Sequence, residues 1–306
     1  YGGEGHDTLQ GGDGVDSLYG GGGNDTLSGL DFFVTQADDL YGGAGDDLYR
    51  VDALDTVHEL GGQGTDTVQA AVSWTLSTSV ENLELTGSAD LEGVGNTLAN
   101  RLTGNSGANV LSGGAGDDTY VVDGLDTVFE NDGEGIDTVQ STADVVLGDY
   151  LENLQLLGGA DIKGTGNALD NRLTGNDGAN VLTGGEGNDA YDIGVGDTVV
   201  ELSGQGTDTV YSAISYTLGE FVEHLVLTGA ADLTATGNAS ANHLTGNSGH
   251  NTLDGGGGND QLAGGGGNDR YLLDQTGDTV VEAEDQGTDE VVAAFSYTLG
   301  AHLENF

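Results

Sequence analysis

Apolar residues return along this chain at an interval of nine. Residues 2–10 read GGEGHDTLQ, 11–19 GGDGVDSLY and 20–28 GGGGNDTLS. The pattern Gly-Gly-x-Gly-x-Asp-x-apolar-x recurs at 42–50, 61–69, 113–121 and 184–192, and in tandem at 255–263 and 264–272. Its apolar eighth position is Leu9, Leu18 and Leu27, then Tyr49, Tyr120, Tyr191 and Tyr271. One apolar side chain between polar neighbours predicts a very short strand with a single inward residue. The glycines predict a tight turn, because they accept positive φ and close backbone approach. Two nonapeptides then make one coil, and like turns stack at roughly the 4.8 Å spacing of adjacent strands.

A second period of 71 residues is laid over the first. Gly42, Gly113, Gly184 and Gly255 begin equivalent turns, and Glu81, Glu152, Glu223 and Glu304 mark a later point in each module. The last of those intervals is longer, because the carboxyl-terminal block carries one additional nonapeptide. Such internal repetition predicts a solenoid in which each unit buries its apolar face only against its neighbours. The expected organisation is one continuous solenoid. It has an amino-terminal nonapeptide block at 1–41, modules at 42–112, 113–183 and 184–254, and a partial module at 255–306. An insertion near 29–34, centred on Leu30–Val34, interrupts the first block and is expected to bulge out as a loop. Both ends fall inside a repeat, which predicts a piece of a longer protein.

Charge sharpens this picture. The 306 residues carry 52 Asp and Glu against 5 Lys and Arg, a formal charge of −47, with 58 glycines and no proline, cysteine or methionine. Such a charge opposes compaction, yet 36% of the residues are hydrophobic and regularly spaced. Something cationic must therefore neutralise the carboxylates when the chain folds. Arg50, Arg101, Lys163, Arg172 and Arg270 are too few and too dispersed to meet nucleic-acid phosphates or an anionic membrane surface. No cysteine means no disulfide framework and no thiolate metal site. No apolar run approaches the ~20 residues of a membrane span.

Stacking like turns places aspartates of like charge one above another, and a divalent ion between them reverses the sign of that interaction. Hard Ca²⁺ takes six to eight oxygens, which carboxylates and glycine-turn carbonyls supply together. The nonapeptide resembles the haemolysin-type calcium-binding repeat of RTX proteins, which leave the cell by type I secretion. The resemblance implies an all-β fold, a right-handed parallel β-roll or β-helix solenoid with stacked calcium-binding turns, each Ca²⁺ lying between turns i and i+2. Carried onto this chain, it makes Asp7, Asp16, Asp25, Asp47, Asp66, Asp118, Asp189, Asp260 and Asp269 the position-six ligands. The pairs are Asp7 with Asp25, Asp25 with Asp47, Asp47 with Asp66, Asp118 with Asp137, Asp189 with Asp208, Asp260 with Asp278 and Asp269 with Asp289. The glycines beside them are Gly3, Gly5, Gly12, Gly14, Gly21, Gly23, Gly43 and Gly45 in the first part of the chain. Later ones are Gly114, Gly116, Gly185, Gly187, Gly256, Gly258, Gly265 and Gly267.

Two departures from the repeat stand out. Position six becomes Asn100, Asn109, Asn171, Asn180, Asn242 or Asn251 in the closing block of each module, where amide hydrogen bonds can replace an ion. The spacing of Asp118, Asp126 and Asp137 also makes one coil 19 residues long instead of 18, which leaves occupancy there open. Trp74 aligns with Val145, Tyr216 and Tyr297 and reads as an apolar strand position. His6, His58, His224, His243, His250 and His302 read as scattered surface residues at unrelated positions.

No catalytic constellation emerges, so the chain is expected not to be an enzyme. The leading expectation is a calcium-binding structural region of a secreted bacterial protein. It would stay expanded in calcium-poor cytoplasm, pass the secretion machinery, fold outside on Ca²⁺ binding, and act as a rigid spacer or folding nucleus. Extracellular calcium modules typically bind at ~10⁻⁴–10⁻³ M. The alternatives are an adhesive module for a surface or glycan ligand, or a non-catalytic accessory part of a polysaccharide-active enzyme. Neither a regular Thr ladder nor an aromatic patch is evident in the sequence to favour adhesion.

Overall fold

The structure, a computed structural model, describes residues 1–306. Strands of two to six residues follow one another with no helix between them, and no helix is long and apolar enough to cross a membrane. The residues form two compact units, Tyr1–Thr142 with Leu147–Asn153, and Ala143–Val146 with Leu154–Phe306.

In the first unit, alternate strands build one parallel sheet. Thr8–Gln10, Thr26–Ser28, Leu48–Val51, Thr67–Ala70, Asn82–Leu85, Arg101–Thr103, Thr119–Val122 and Thr138–Ser141 pair in that order. The strands that fall between them in sequence make the opposite wall as two parallel sheets. One runs Gly3–Glu4, Ser17–Gly22, Asp39–Ala44, Thr56–His58, the other Trp74–Thr75, Glu92–Val94, Val110–Ser112, Thr127–Val128. Each wall takes every second strand, so two successive strands complete one coil. This is a parallel β-solenoid.

The second unit repeats the plan. Arg172–Thr174, Ala190–Ile193, Thr209–Ser212, His224–Leu227, His243–Thr245, Gln261–Ala263 and Thr279–Val280 pair in order along one wall. The facing wall holds Val145–Val146, Lys163–Thr165, Val181–Thr183, Thr198–Val199 in one sheet. A second sheet there holds Tyr216–Thr217, Thr234–Thr236, Thr252–Asp254, Arg270–Leu273, Glu290–Ala293.

The core is a ladder of single residues. Leu27, Tyr49, Val68, Leu83, Leu102, Tyr120 and Val139 sit in register on consecutive strands and are all buried. Leu40, Val57 and Leu111 meet them from the other wall. At the Gly93 rung there is no room for a larger inward residue. A Cβ on Gly93 would lie 2.9 Å from Leu111 and 3.0 Å from Leu83. Trp74, paired with Gly93 in this wall, belongs to the strand position expected of it.

Coil length varies on a fixed schedule. In the first unit the steps Asp47–Asp66, Asp66–Glu81, Glu81–Asn100 and Asn100–Asp118 are 19, 15, 19 and 18 residues, which together make the 71-residue module. The insertion stretches two earlier steps, Asp16–Asp38 and Asp25–Asp47, to 22. It leaves the ladder as a loop, with the Phe32 and Phe33 amides held by Asp13 Oδ1 and both rings exposed.

Two expectations change here. Tyr1, Tyr19, Tyr41 and His58 form a stack with ring centroids 4.6, 4.6 and 4.3 Å apart. An aromatic ladder therefore does exist, because residues in different repeats fall into register on neighbouring coils. The histidines are also less scattered than their numbers suggest. His6 and His250 both use Nδ1 to accept the amide of the residue 18 positions on, Asn24 and Asn268, while His224 and His243 are cross-strand neighbours.

Removing one rung of the ladder should be expensive. Leu102→Ala is expected to cost about 2–5 kcal/mol in urea unfolding followed in calcium-containing buffer, through lost burial and the cavity left between Leu83 and Tyr120. The exposed Leu125→Ala should stay within about 0.5 kcal/mol.

Candidate metal centres

The coil edges carry the carboxylates, and backbone geometry puts them there. In each nonapeptide the turn needs glycine where the next coil comes closest. Gly21 has φ +117°, and a Cβ on it would lie 2.1 Å from the Gly3 carbonyl oxygen of the preceding coil. Gly43 stands in the same relation to Gly21. All sixteen glycines named above as carbonyl donors have φ between +75° and +137°. Twelve of them stack over a carbonyl of the coil before; Gly3, Gly5, Gly12 and Gly14 do not.

Position six follows the turn, and its side chain is built into the stack. Each aspartate accepts the amide of its counterpart one coil earlier through Oδ1. Asp25 takes Asp7 N–H at 2.8 Å, Asp47 takes Asp25 at 2.7 Å, and Asp66 takes Asp47 at 2.8 Å. The same bond joins Asp118 to Asp137, Asp189 to Asp208, Asp260 to Asp278 and Asp269 to Asp289, at 2.7–3.2 Å. Every one of the seven aligned pairs is thus brought together. Asp16 finds its partner in Asp38, and Asp38 in Asp55.

The ladder occupies one oxygen of most of these carboxylates, and in eight of the aspartates a second oxygen is left over. Asp7, Asp25, Asp38, Asp47, Asp118, Asp189, Asp260 and Asp269 each bury an Oδ2 with no hydrogen-bond partner. Of the thirteen such buried atoms in the chain, twelve are carboxylate oxygens. A buried acceptor without a donor is costly, and a recurring one marks a place for a cation. The space is shaped for it as well: a Cβ on Gly2 would strike Asp7 Oδ2 and the Gly20 carbonyl oxygen together, and one on Gly20 would strike Asp25 Oδ2 and the Gly42 carbonyl. Carboxylate and carbonyl oxygens converging in a glycine-lined gap make an all-oxygen donor set suited to a hard divalent ion.

The asparagine turns are complete without one. Asn100 accepts the Asn96 amide through Oδ1 and donates through Nδ2 to the Val80 and Glu81 carbonyls. Asn242 does the same with Asn238, Val222 and Glu223.

Glutamates join the aspartates at points the nonapeptide pattern does not mark. Glu81 and Glu223 serve only as period landmarks in the sequence, yet they accept the amides of Asp66 and Asp208 at 2.8 and 2.9 Å. Glu59, Glu130, Glu201 and Glu282 each lie with an aspartate pair such that the three ligand atoms are within 4.8 Å of one another. Their only sequence signal is recurrence twelve or thirteen residues after Asp47, Asp118, Asp189 and Asp269.

Crowding of these acids shows in their proton affinity. Burial pushes Asp47, Asp260 and Asp269 up to about 6 and Asp66, Asp118 and Asp189 up to about 7, with backbone donors opposing and neighbouring carboxylates adding to the rise. Burial lifts Glu130 further, to about 8.

A parallel β-solenoid with acidic, oxygen-lined turn edges defines a class of cation-dependent repeat proteins. The RTX calcium-binding nonapeptide repeat matches residues 1–32, 35–52, 94–126, 165–200 and 236–271, just over half of the chain. The chain belongs to that family. No curated protein showed significant similarity to it.

The raised acids set a pH dependence. Between about pH 4 and pH 7 the metal-free fold binds more protons than the unfolded chain. Their contribution to its stability is therefore full below the unfolded carboxylate range and is lost as pH rises through 6–7. Calcium competes for the same oxygens. In far-UV circular dichroism, the metal-free chain should hold more strand at pH 5.5 than at pH 7.5. Protons and calcium neutralise the same oxygens of the folded chain, so the calcium concentration at half-folding should be lower at pH 5.5 than at pH 7.5. An unchanged midpoint would mean that these carboxylates do not hold the ion.

Proposed function

We propose that the chain is a calcium-dependent structural module of a secreted protein, unfolded where calcium is scarce and folded outside the cell. The observation that carries this reading is the set of eleven partnerless carboxylate oxygens along the coil edges, leaving aside Asp31 in the insertion. Ca²⁺ is the fitting ion, given the oxygen-only donors and the family to which the chain belongs. Binding free energy then becomes folding free energy, because the unfolded chain has no preformed site. Secretion is supported by the occurrence of RTX repeats in type I-exported proteins. The folded module serves as a spacer or folding nucleus and not as a catalyst, since its buried acids are committed to the stack.

A second reading, glycan adhesion, is favoured by one feature. The Tyr1–His58 stack ends at a cavity of about 640 Å³ lined by Tyr41, Val57, His58, Leu60, Ser77 and Thr78. A glycan array with and without Ca²⁺ separates the two readings.

Titrating calcium into chelator-treated protein should convert a disordered circular dichroism spectrum into a strand-rich one at ~10⁻⁴–10⁻³ M. Magnesium at the same concentration should not, because it keeps its own waters. Equal strand content in chelator and in millimolar calcium would overturn the proposal.

A further inference from the structure

The 71-residue period holds something that the nonapeptide does not explain. Once per period an aspartate pair is joined by a buried tyrosine and a glutamate that is buried in two clusters and half-buried in two: Asp47, Tyr49, Glu59 and Asp66; Asp118, Tyr120, Glu130 and Asp137; Asp189, Tyr191, Glu201 and Asp208; Asp269, Tyr271, Glu282 and Asp289. We propose that these four clusters are a second and tighter class of calcium site, filled before the plain nonapeptide turns and fixing one folded coil pair per period. The inference rests on the calcium-binding reading above and adds a hierarchy to it.

An acidic cluster alone would not carry this, but the glutamates are placed for a ligand. Glu130 and Glu201 are only 7% and 5% exposed, and each has an Oε2 with no partner. The other oxygen is anchored. Glu201 Oε1 accepts the Tyr191 hydroxyl and the Gly184 amide, and Glu130 Oε1 accepts the Gly113 amide at 3.1 Å. Tyr49 and Tyr271 hold Glu59 and Glu282 in the same way. The phenols have no exposed surface, so the carboxylates they hold are locked in orientation.

The aspartates complete the set. Asp47, Asp118, Asp189 and Asp269 each present a free buried Oδ2 to the same gap. A Cβ on Gly42 would strike Asp47 Oδ2, Tyr49 Oη and Glu59 Oε1 together, which shows why the cluster needs glycine beside it.

Internal comparisons set the order of affinity. Asp7 with Asp25 offers two carboxylates, and Asp7 is only half-buried. The Asp260–Asp278 pair has an exposed Asp274 where the others have glutamate, and Leu262 where they have tyrosine. Calcium affinity rises with ligand charge and site rigidity, and the four clusters exceed both on each count. They are also composite. The matched nonapeptide segments end at 52, 126, 200 and 271, so each contains the first aspartate and the tyrosine but neither the glutamate nor the second aspartate.

Calcium binding to the full chain, followed by equilibrium dialysis and calorimetry, tests the proposal. Wild type should bind in two phases, the first saturating at four ions, one for each glutamate cluster, at least about tenfold more tightly than the second. The quadruple variant Glu59→Gln, Glu130→Gln, Glu201→Gln, Glu282→Gln should lose the first phase and keep the second. Asp7→Asn with Asp16→Asn should keep the first phase whole and remove ions only from the second. If the quadruple variant does not fold, Glu130→Gln alone should remove one ion from the tight phase. Coincident isotherms for wild type and the glutamate variants, both binding calcium, would overturn the inference and leave the calcium reading standing. No binding by wild type would overturn both.

Discussion

Everything in this fold depends on how like charges are tolerated at the spacing of adjacent strands. A parallel solenoid repeats each residue type once per coil, so any acid at a turn is brought against the acid of the next turn. Two features make that bearable. The backbone amide of each position-six residue donates to the carboxylate one coil on, as from Asp25 to Asp47, and this compensates one oxygen internally. The second oxygen, buried and without a donor in eight of the aspartates, must there be compensated from outside the chain. The protein thus builds half of each site from its own amides and leaves the other half to a cation.

That division explains why the position-six residue changes along a module. In the first unit the edge runs Asp47, Asp66, Glu81, Asn100, Asp118 through coils of 19, 15, 19 and 18 residues. Where the coil shortens to 15, the longer glutamate reaches back to the Asp66 amide. Where Asn100 follows, its Nδ2 donates to carbonyls of the coil before and no cation is called for. Charge is thereby interrupted once per period. An unbroken aspartate column would require an ion at every step.

Much of this was legible in the residues and some was not, for a physical reason. The nonapeptide announces its own register, since glycine at fixed offsets dictates the turn and the turn dictates which aspartates stack. That logic placed Asp7 beside Asp25 and Tyr120 in the core without any structure. It could not place Asp38, Asp55, Glu59 or Glu130, because none of them occupies position six of a nonapeptide. Nor could it foresee the Tyr1–Tyr19–Tyr41–His58 stack, in which a histidine completes a series begun by tyrosines. Cross-coil register is a property of coil length, and the 17-residue step that sets His58 on Tyr41 is not marked by any motif.

The carboxyl-terminal block shows how local the encoding of a site is. Leu262 occupies the place in its module that Tyr191 holds in the one before, and pairs with Leu244 in the same wall that pairs Leu173 with Tyr191. The extra nonapeptide then advances the chain by half a coil. Tyr271 consequently falls in the facing wall, between Leu253 and Val291, and its cluster with Asp269, Glu282 and Asp289 moves to the opposite edge intact. A site that survives transfer from one wall to the other is not a property of either edge. It belongs to the strand–turn unit that carries the aspartate, the tyrosine and the glutamate together, and the solenoid serves only to bring the next coil's aspartate over it.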